Sequence, residues 1–184
     1  MTTESLPMPA AEPKASIRVG PVTAAGVLVL VALCILKFGF SGDTVVASIF
    51  AASLLVIAAT DLERRIIPNR IVLPASAIVL LLNIAIHPSH TVEWIVAALA
   101  SFAFFLVVAL VNPAGLGMGD VKLAFLIGAG LGWDVAGALI LGTFAAAIYG
   151  VFLVLTRPGA GAKTAFAMGP FLAGAAIVVL LVAH

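Results

Sequence analysis

Apolar residues in this chain come in long unbroken runs, not in the alternating or one-face stripes of half-buried strands and helices. A helix needs about 20 apolar residues to cross a bilayer core, and such runs recur here between short polar or Pro/Gly breaks. They predict helices near 21–39, 44–61, 70–86, 92–111, 120–132, 134–156 and 165–183. The fifth is too short to cross the hydrocarbon layer unaided, and it follows the glycine-rich stretch GLGMG (115–119). Irregular backbone at membrane depth is tolerated only where protein or a wet cavity surrounds it, so this stretch predicts a cavity on one side. The expected fold is all-α: a polytopic transmembrane bundle of six or seven helices, with a short or broken helix at the glycine-rich segment. Residues 1–20 are rich in Pro, Ala, Ser and Thr and lack the compact basic start and cleavage site of a secretory signal. They are expected to form a disordered cytosolic tail, leaving 21–184 as one membrane-embedded domain.

Composition strengthens this picture. The chain is 64% hydrophobic and 9% charged over 184 residues, outside the range of soluble domains. A net charge of +1 gives no electrostatic basis for a nucleic-acid partner. The one cysteine, Cys34, sits in an apolar run, which rules out an intrachain disulfide and a cysteine-based zinc site. His87 and His90 flank Pro88 in a short connection and suggest no metal site, so no metal or cofactor is expected.

The few charges are informative by position. With the N-terminus inside, Lys14, Arg18, Arg64, Arg65, Arg70, Lys122, Arg157 and Lys163 all fall on the cytoplasmic side, and Lys37 alone falls outside. Trp94 and Trp133 then mark the outer interface, where amphipathic rings anchor. Of the eight acidic residues, Glu4 and Glu12 lie in the tail and Asp43, Glu93 and Asp134 in short outer connections. Asp61, Glu63 and Asp120 remain, all on the inner side.

Glu63 is two positions from Asp61, faces away from it on a continued helix, and reads as a solvated charge. Asp61 near a helix C-terminus gains nothing from the dipole there. Its structural alternative is a surface pair with Arg64 or Arg65; the alternative for Asp120, after Gly119, is a helix N-cap. Two carboxylates brought to one depth by separate helices can act together. Held within a few ångströms, both cannot ionise, which leaves one as acid and one as base. The pair titrates as a unit, so neither role belongs to one residue.

Two segments carry a resemblance. ATDLERRIIPNRI (59–71) and GLGMGDVKL (115–123) resemble the two signature motifs of the type IV prepilin peptidases, a family of membrane aspartic proteases. The first contributes Asp61, Arg64, Arg65, Pro68 and Asn69. The second is the Gly-x-Gly-Asp signature at Gly117, Met118, Gly119 and Asp120, followed by Lys122. A third segment, AMGPFLAGA (167–175), resembles the family's Phe-Gly-Pro-Phe-Leu stretch through Gly169 and Pro170, with Met168 where an aromatic residue is usual. Presenilin and signal peptide peptidase carry a similar Gly-x-Gly-Asp, but with a different first motif.

The resemblance implies an aspartic endopeptidase with Asp61 and Asp120 as catalytic residues. It also implies a prepilin or pseudopilin substrate with a basic leader and an apolar helix, and a place in a bacterial or archaeal cytoplasmic membrane. Gly117, Gly119, Lys122, Arg64, Arg65, Pro68, Asn69, Gly169 and Pro170 are the candidates for substrate contact or for shaping the site. Paired Cys-x-x-Cys motifs, linked in larger members to zinc and N-methylation, have no counterpart in this sequence, so a compact peptidase is expected without methyl transfer. Two other classes compete: a small proton- or cation-coupled transporter using the same carboxylates, and a membrane scaffold for a pilus machine. The transporter is disfavoured because no inverted repeat is evident.

Overall fold

The structure is a computed structural model and describes residues 20–111, 115–156 and 167–183. Among these residues it is all-helical. Its seven α-helices are α1 (Pro21–Phe38), α2 (Gly42–Arg64), α3 (Asn69–Ile86), α4 (Thr91–Val111), α5 (Met118–Leu131), α6 (Val135–Thr156) and α7 (Gly169–Val182). One-turn 3₁₀ segments, Pro88–His90 and Gly132–Asp134, join α3 to α4 and α5 to α6. Five helical stretches are long and apolar enough to cross a membrane, α5 and α6 counting as one. Most of the tail expected over 1–20 lies outside the described residues, as do Lys14, Arg18, Arg157 and Lys163.

The predicted helices appear in order, with shifts at their ends. Helix α2 continues one turn past Asp61, and α7 is traced from Gly169, beginning with Pro170 in the first turn, where a missing N–H costs nothing. A helix apolar all round belongs in an interior, and α5 fits: eight of its 14 residues are buried. It touches α2, α3, α4, α6 and α7. Helix α1, with Cys34 alone buried, lies at the periphery against α2.

Without a hydrophobic force between helices in lipid, close packing depends on small side chains. Gly128 shows this for α4 and α5: a Cβ there would sit 2.6 Å from the Ala97 carbonyl oxygen and 2.7 Å from the Ala98 Cα. Ser101 completes the seam with a hydroxyl 2.9 Å from the Ala124 carbonyl oxygen. Gly142 does the same for α6 against α7, its missing Cβ falling 2.9 Å from the Leu172 Cα. Gly132, at small-residue spacing from Gly128, serves the turn instead, its φ of 57° carrying the chain out of α5.

The end of the bundle holding Asp43 and His87 differs from expectation in two ways. Trp133 is exposed as an interface residue should be, whereas Trp94 is buried against Gly132 and packs as core. The histidines have carboxylate partners that the sequence did not suggest: His87 Nε2 is 2.6 Å from Asp43, and His90 Nδ1 is 3.0 Å from Glu93. No cluster suited to a metal ion occurs among the described residues.

Because the atoms facing Gly128 include fixed backbone, Gly128→Ala should force α4 and α5 apart. A loss of roughly 1–3 kcal/mol is expected from such overpacking, read as a lower unfolding temperature in detergent. An unchanged melting curve would mean that the α4–α5 contact is looser than described.

Candidate active site

Asp61 lies in the last turn of α2 and is buried, with 5% of its surface exposed, despite being a carboxylate near a helix end. Burial of this kind needs a donor. One comes from α7: the Gly169 N–H donates to Asp61 Oδ2 at 3.0 Å, across 108 residues of chain. The contact also explains the glycine, since a Cβ at 169 would meet the same oxygen at 2.6 Å.

Asp120 stands at the third position of α5, not at its cap. Gly117 is the N-cap residue, and its N–H donates to Asp120 Oδ2 at 3.3 Å while the Asp120 N–H donates back to the Gly117 carbonyl oxygen at 3.0 Å. This is the reciprocal half of a capping box, with glycine's backbone standing in for the usual hydroxyl. The second carboxylate oxygen, Oδ1, is buried with no partner among the described residues. An unpaired buried oxygen is costly, and such groups concentrate where chemistry is done.

Ile67 joins these elements and was not singled out from the sequence. It is 8% exposed, while its neighbour Ile66 is 65% exposed. A Cβ on Gly119 would fall 2.9 Å from the Ile67 Cβ, and one on Gly169 would fall 3.4 Å from its Cδ1. The side chain is therefore a spacer between the approach to α5 and the start of α7. The available signal was an apolar residue in a polar connection, directly before a proline. Arg65 aims it: its φ of 54° and ψ of 36° end α2 in the left-handed region, at a cost of roughly 1–2 kcal/mol for a residue with a Cβ. Its N–H closes the turn on the Asp61 carbonyl oxygen at 2.8 Å.

The other candidates fall into two groups. Pro68 is the N-cap of α3, with extended backbone, and Asn69 is the first residue of that helix. The Lys122 ammonium donates to Asn69 Oδ1 at 2.8 Å, a bond that ties the first motif to the second. Arg64, Arg65 and Glu63 are exposed beside the site. Gly117, Gly119, Gly169 and Pro170 shape the backbone around the two acids.

A cavity of about 290 Å³ lies at the opposite end and is lined by Asp43, Asn83 and His87 among others. Its acid is already paired with His87.

Residues 48–155 match the type IV leader peptidase family. The chain belongs to the type IV leader peptidase family. Among curated relatives it is similar to a prepilin leader peptidase/N-methyltransferase of Bacillus subtilis (strain 168), 34% identical across 66% of this chain and 49% of that protein. Proteins of the same name from Pseudomonas putida and Aeromonas salmonicida (strain A449) are 29% and 28% identical. These matches cover 88% and 75% of this chain and 58% and 49% of those proteins, so the chain spans about half the length of the relatives it matches. No solved structure matches it. The family match takes in α3 through α5 and both leader-peptidase motifs, and it stops before Gly169.

The packing around Ile67 can be probed without an activity assay. With Cys34 replaced by Ala, Ile67→Cys combined with Gly119→Cys should form an intrachain disulfide under mild oxidation, because the two positions are within bridging reach. Intact-mass spectrometry should register the loss of two hydrogens. A pair that stays reduced after prolonged oxidation would contradict the contact.

Proposed function

We propose that this chain is an aspartic endopeptidase that removes the basic leader of prepilin-like proteins at the cytoplasmic face of the membrane, with Asp61 and Asp120 as its catalytic pair. The observation that carries this reading is a buried carboxylate and a carboxylate with an unpartnered buried oxygen at one end of the bundle, on segments linked through Gly169, Ile67 and Gly119. Family membership supports the substrate class, through relatives named prepilin leader peptidase/N-methyltransferase.

The chemistry follows from two like charges in a shared, poorly hydrated space. One carboxylate keeps its proton while the other stays ionised. The ionised member takes a proton from a water, and the resulting hydroxide attacks the scissile carbonyl carbon. The protonated member gives its proton to the developing oxyanion. Collapse of the resulting diol breaks the C–N bond: one dyad proton passes to the departing amine, and a hydroxyl of the diol returns its proton to the other carboxylate. The leader leaves with a carboxylate, the pilin part keeps a free N-terminal amine, and the dyad returns to its starting charge. The Gly169 N–H holds Asp61 by one oxygen, which leaves the other for the water.

Charge distribution supports the orientation. Arg64, Arg65, Arg70 and Lys122 cluster at the dyad end. At the far end, among the described residues, Lys37 is the lone Lys or Arg; its ammonium donates to the Leu180 carbonyl oxygen at 3.1 Å and lies 5.3 Å from the Phe38 ring centre. The positive-inside rule then puts the dyad toward the cytosol, where a basic leader would be presented. Arg64 and Arg65, exposed beside the site, suit acidic groups of such a substrate better than the leader's own cations. Lys122 is engaged with Asn69 and serves the site by joining its two segments.

Two results are expected when the chain is coexpressed with a prepilin and leader removal is followed by gel mobility. Asp61→Asn and Asp120→Asn should each cut the rate at least about 100-fold while the protein remains in the membrane; normal processing by either variant would refute the dyad. Gly169→Ala should displace Asp61 and cost on the order of 100-fold. Gly174→Ala, on the same helix with open space around it, should be near wild type. Equal activity of the two glycine variants would remove Gly169 from the mechanism.

A further inference from the structure

Helices α3 and α4 both pack along α5 but touch each other little, and a fissure opens between them. The fissure is a groove of about 250 Å³ lined by Leu73, Ser76, Leu99, Phe102, Lys122 and Phe125. Its wall is almost wholly apolar: the Ser76 hydroxyl is turned away, donating to the Val72 carbonyl oxygen at 2.7 Å. The Lys122 ammonium stands at the head of the groove, level with Asn69 at the start of α3. From there the lining runs down α3 to Ser76, seven residues on, or about 10 Å of helix.

Two properties narrow the occupant. The first is charge. Among the described residues the hydrogen-bond partner of Lys122 is the neutral Asn69 amide oxygen, and no carboxylate pairs with it. A cation at the mouth of an apolar slot is complementary to an anionic group attached to a hydrocarbon chain. The second is size. A groove of about 250 Å³, open along one side, suits one slender acyl chain.

We infer that this groove is a binding site for a phospholipid of the surrounding bilayer, with one acyl chain between α3 and α4 and the phosphate on Lys122. The site rests on the membrane setting of the chain and not on the peptidase reading. It has a consequence for that reading. Because Lys122 also holds Asn69, the bound phosphate and the first motif share one ammonium, so headgroup occupancy bears on the segment that carries Ile67.

The test uses the full chain, purified in detergent, stripped of lipid and titrated with phosphatidylglycerol or with diacylglycerol of the same acyl chains. Native mass spectrometry should show a retained one-to-one phosphatidylglycerol adduct and little diacylglycerol. Lys122→Gln should lower that retention roughly tenfold, the loss expected for one charge-assisted hydrogen bond. Leu73→Trp, at a position 52% exposed and therefore tolerant of bulk, should lower it by blocking the groove. Equal retention of the two lipids, or retention indifferent to both substitutions, would overturn the site.

A measurement on the unaltered chain guards against a folding artefact. Phosphatidylglycerol carrying a diazirine on its acyl chain should label Leu73, Leu99, Phe102 and Phe125. Labelling spread evenly to Leu28 on α1 and Phe144 on α6 would mean bulk lipid only. Loss of labelling on adding an apolar helical prepilin peptide would give the groove to the substrate instead. Leader removal is not a readout in either measurement, so failure of the lipid site and failure of the proposed peptidase are separable.

Discussion

A buried carboxylate must be supplied with a donor, and in this protein that requirement organises one whole end of the bundle. The last turn of α2 buries Asp61, and the nearest solution is the first free N–H of α7, at Gly169. For that N–H to arrive, α7 must start beside the end of α2, and residue 169 must lack a Cβ. The chain between α2 and α3 must also fold back tightly enough to put Ile67 against both Gly119 and Gly169. Arg65 accepts a left-handed conformation to permit it. The Asn69–Lys122 bond then fixes the same connection to α5. Each of these features is modest alone. Together they bring segments more than a hundred residues apart into one small volume.

The placement of α5 follows from the same need. Asp120 sits in the first turn of the most enclosed helix, with one carboxylate oxygen buried. Surrounding helices approach α5 closely because Gly128 leaves room for α4. At 14 residues α5 is about 21 Å long, less than the hydrocarbon thickness of a typical bilayer. Its short length and its glycine N-cap are what allow a carboxylate near its start to lie inside the bundle.

Much of this was legible in the residues. Unbroken apolar runs revealed the helix order, because bilayer thickness imposes a length that few other structures require. Sorting the acids by position left Asp61, Glu63 and Asp120, and helix spacing set Glu63 aside, because the remaining acids lie in the tail and outer connections where water solvates them. What stayed hidden depended on contacts between distant segments. Lys122 and Asn69 were candidates for touching substrate, and they touch each other. Ile67 looked like one apolar residue of a pair in a loop, and only folding separates it from exposed Ile66. The structural alternative for Asp120 was a helix N-cap, yet the helix begins two residues earlier, with Gly117 as its cap. Trp94 was expected at the lipid interface by residue type, and its burial is decided by the turn at Gly132. His87 gained its carboxylate, Asp43, from a helix end 44 residues away that pattern alone could not align.

The proposed peptidase mechanism turns on whether one atom can be held by both acids at once. The most direct measurement is an experimental structure of the chain bound to a prepilin-leader peptide whose scissile amide is replaced by a secondary alcohol, a stand-in for the attacked carbonyl. A working dyad places that hydroxyl within about 2.6–3.2 Å of a carboxylate oxygen from Asp61 and of one from Asp120. A peptide seated elsewhere, or a hydroxyl reached by one acid while the other stays beyond hydrogen-bond range, would contradict it.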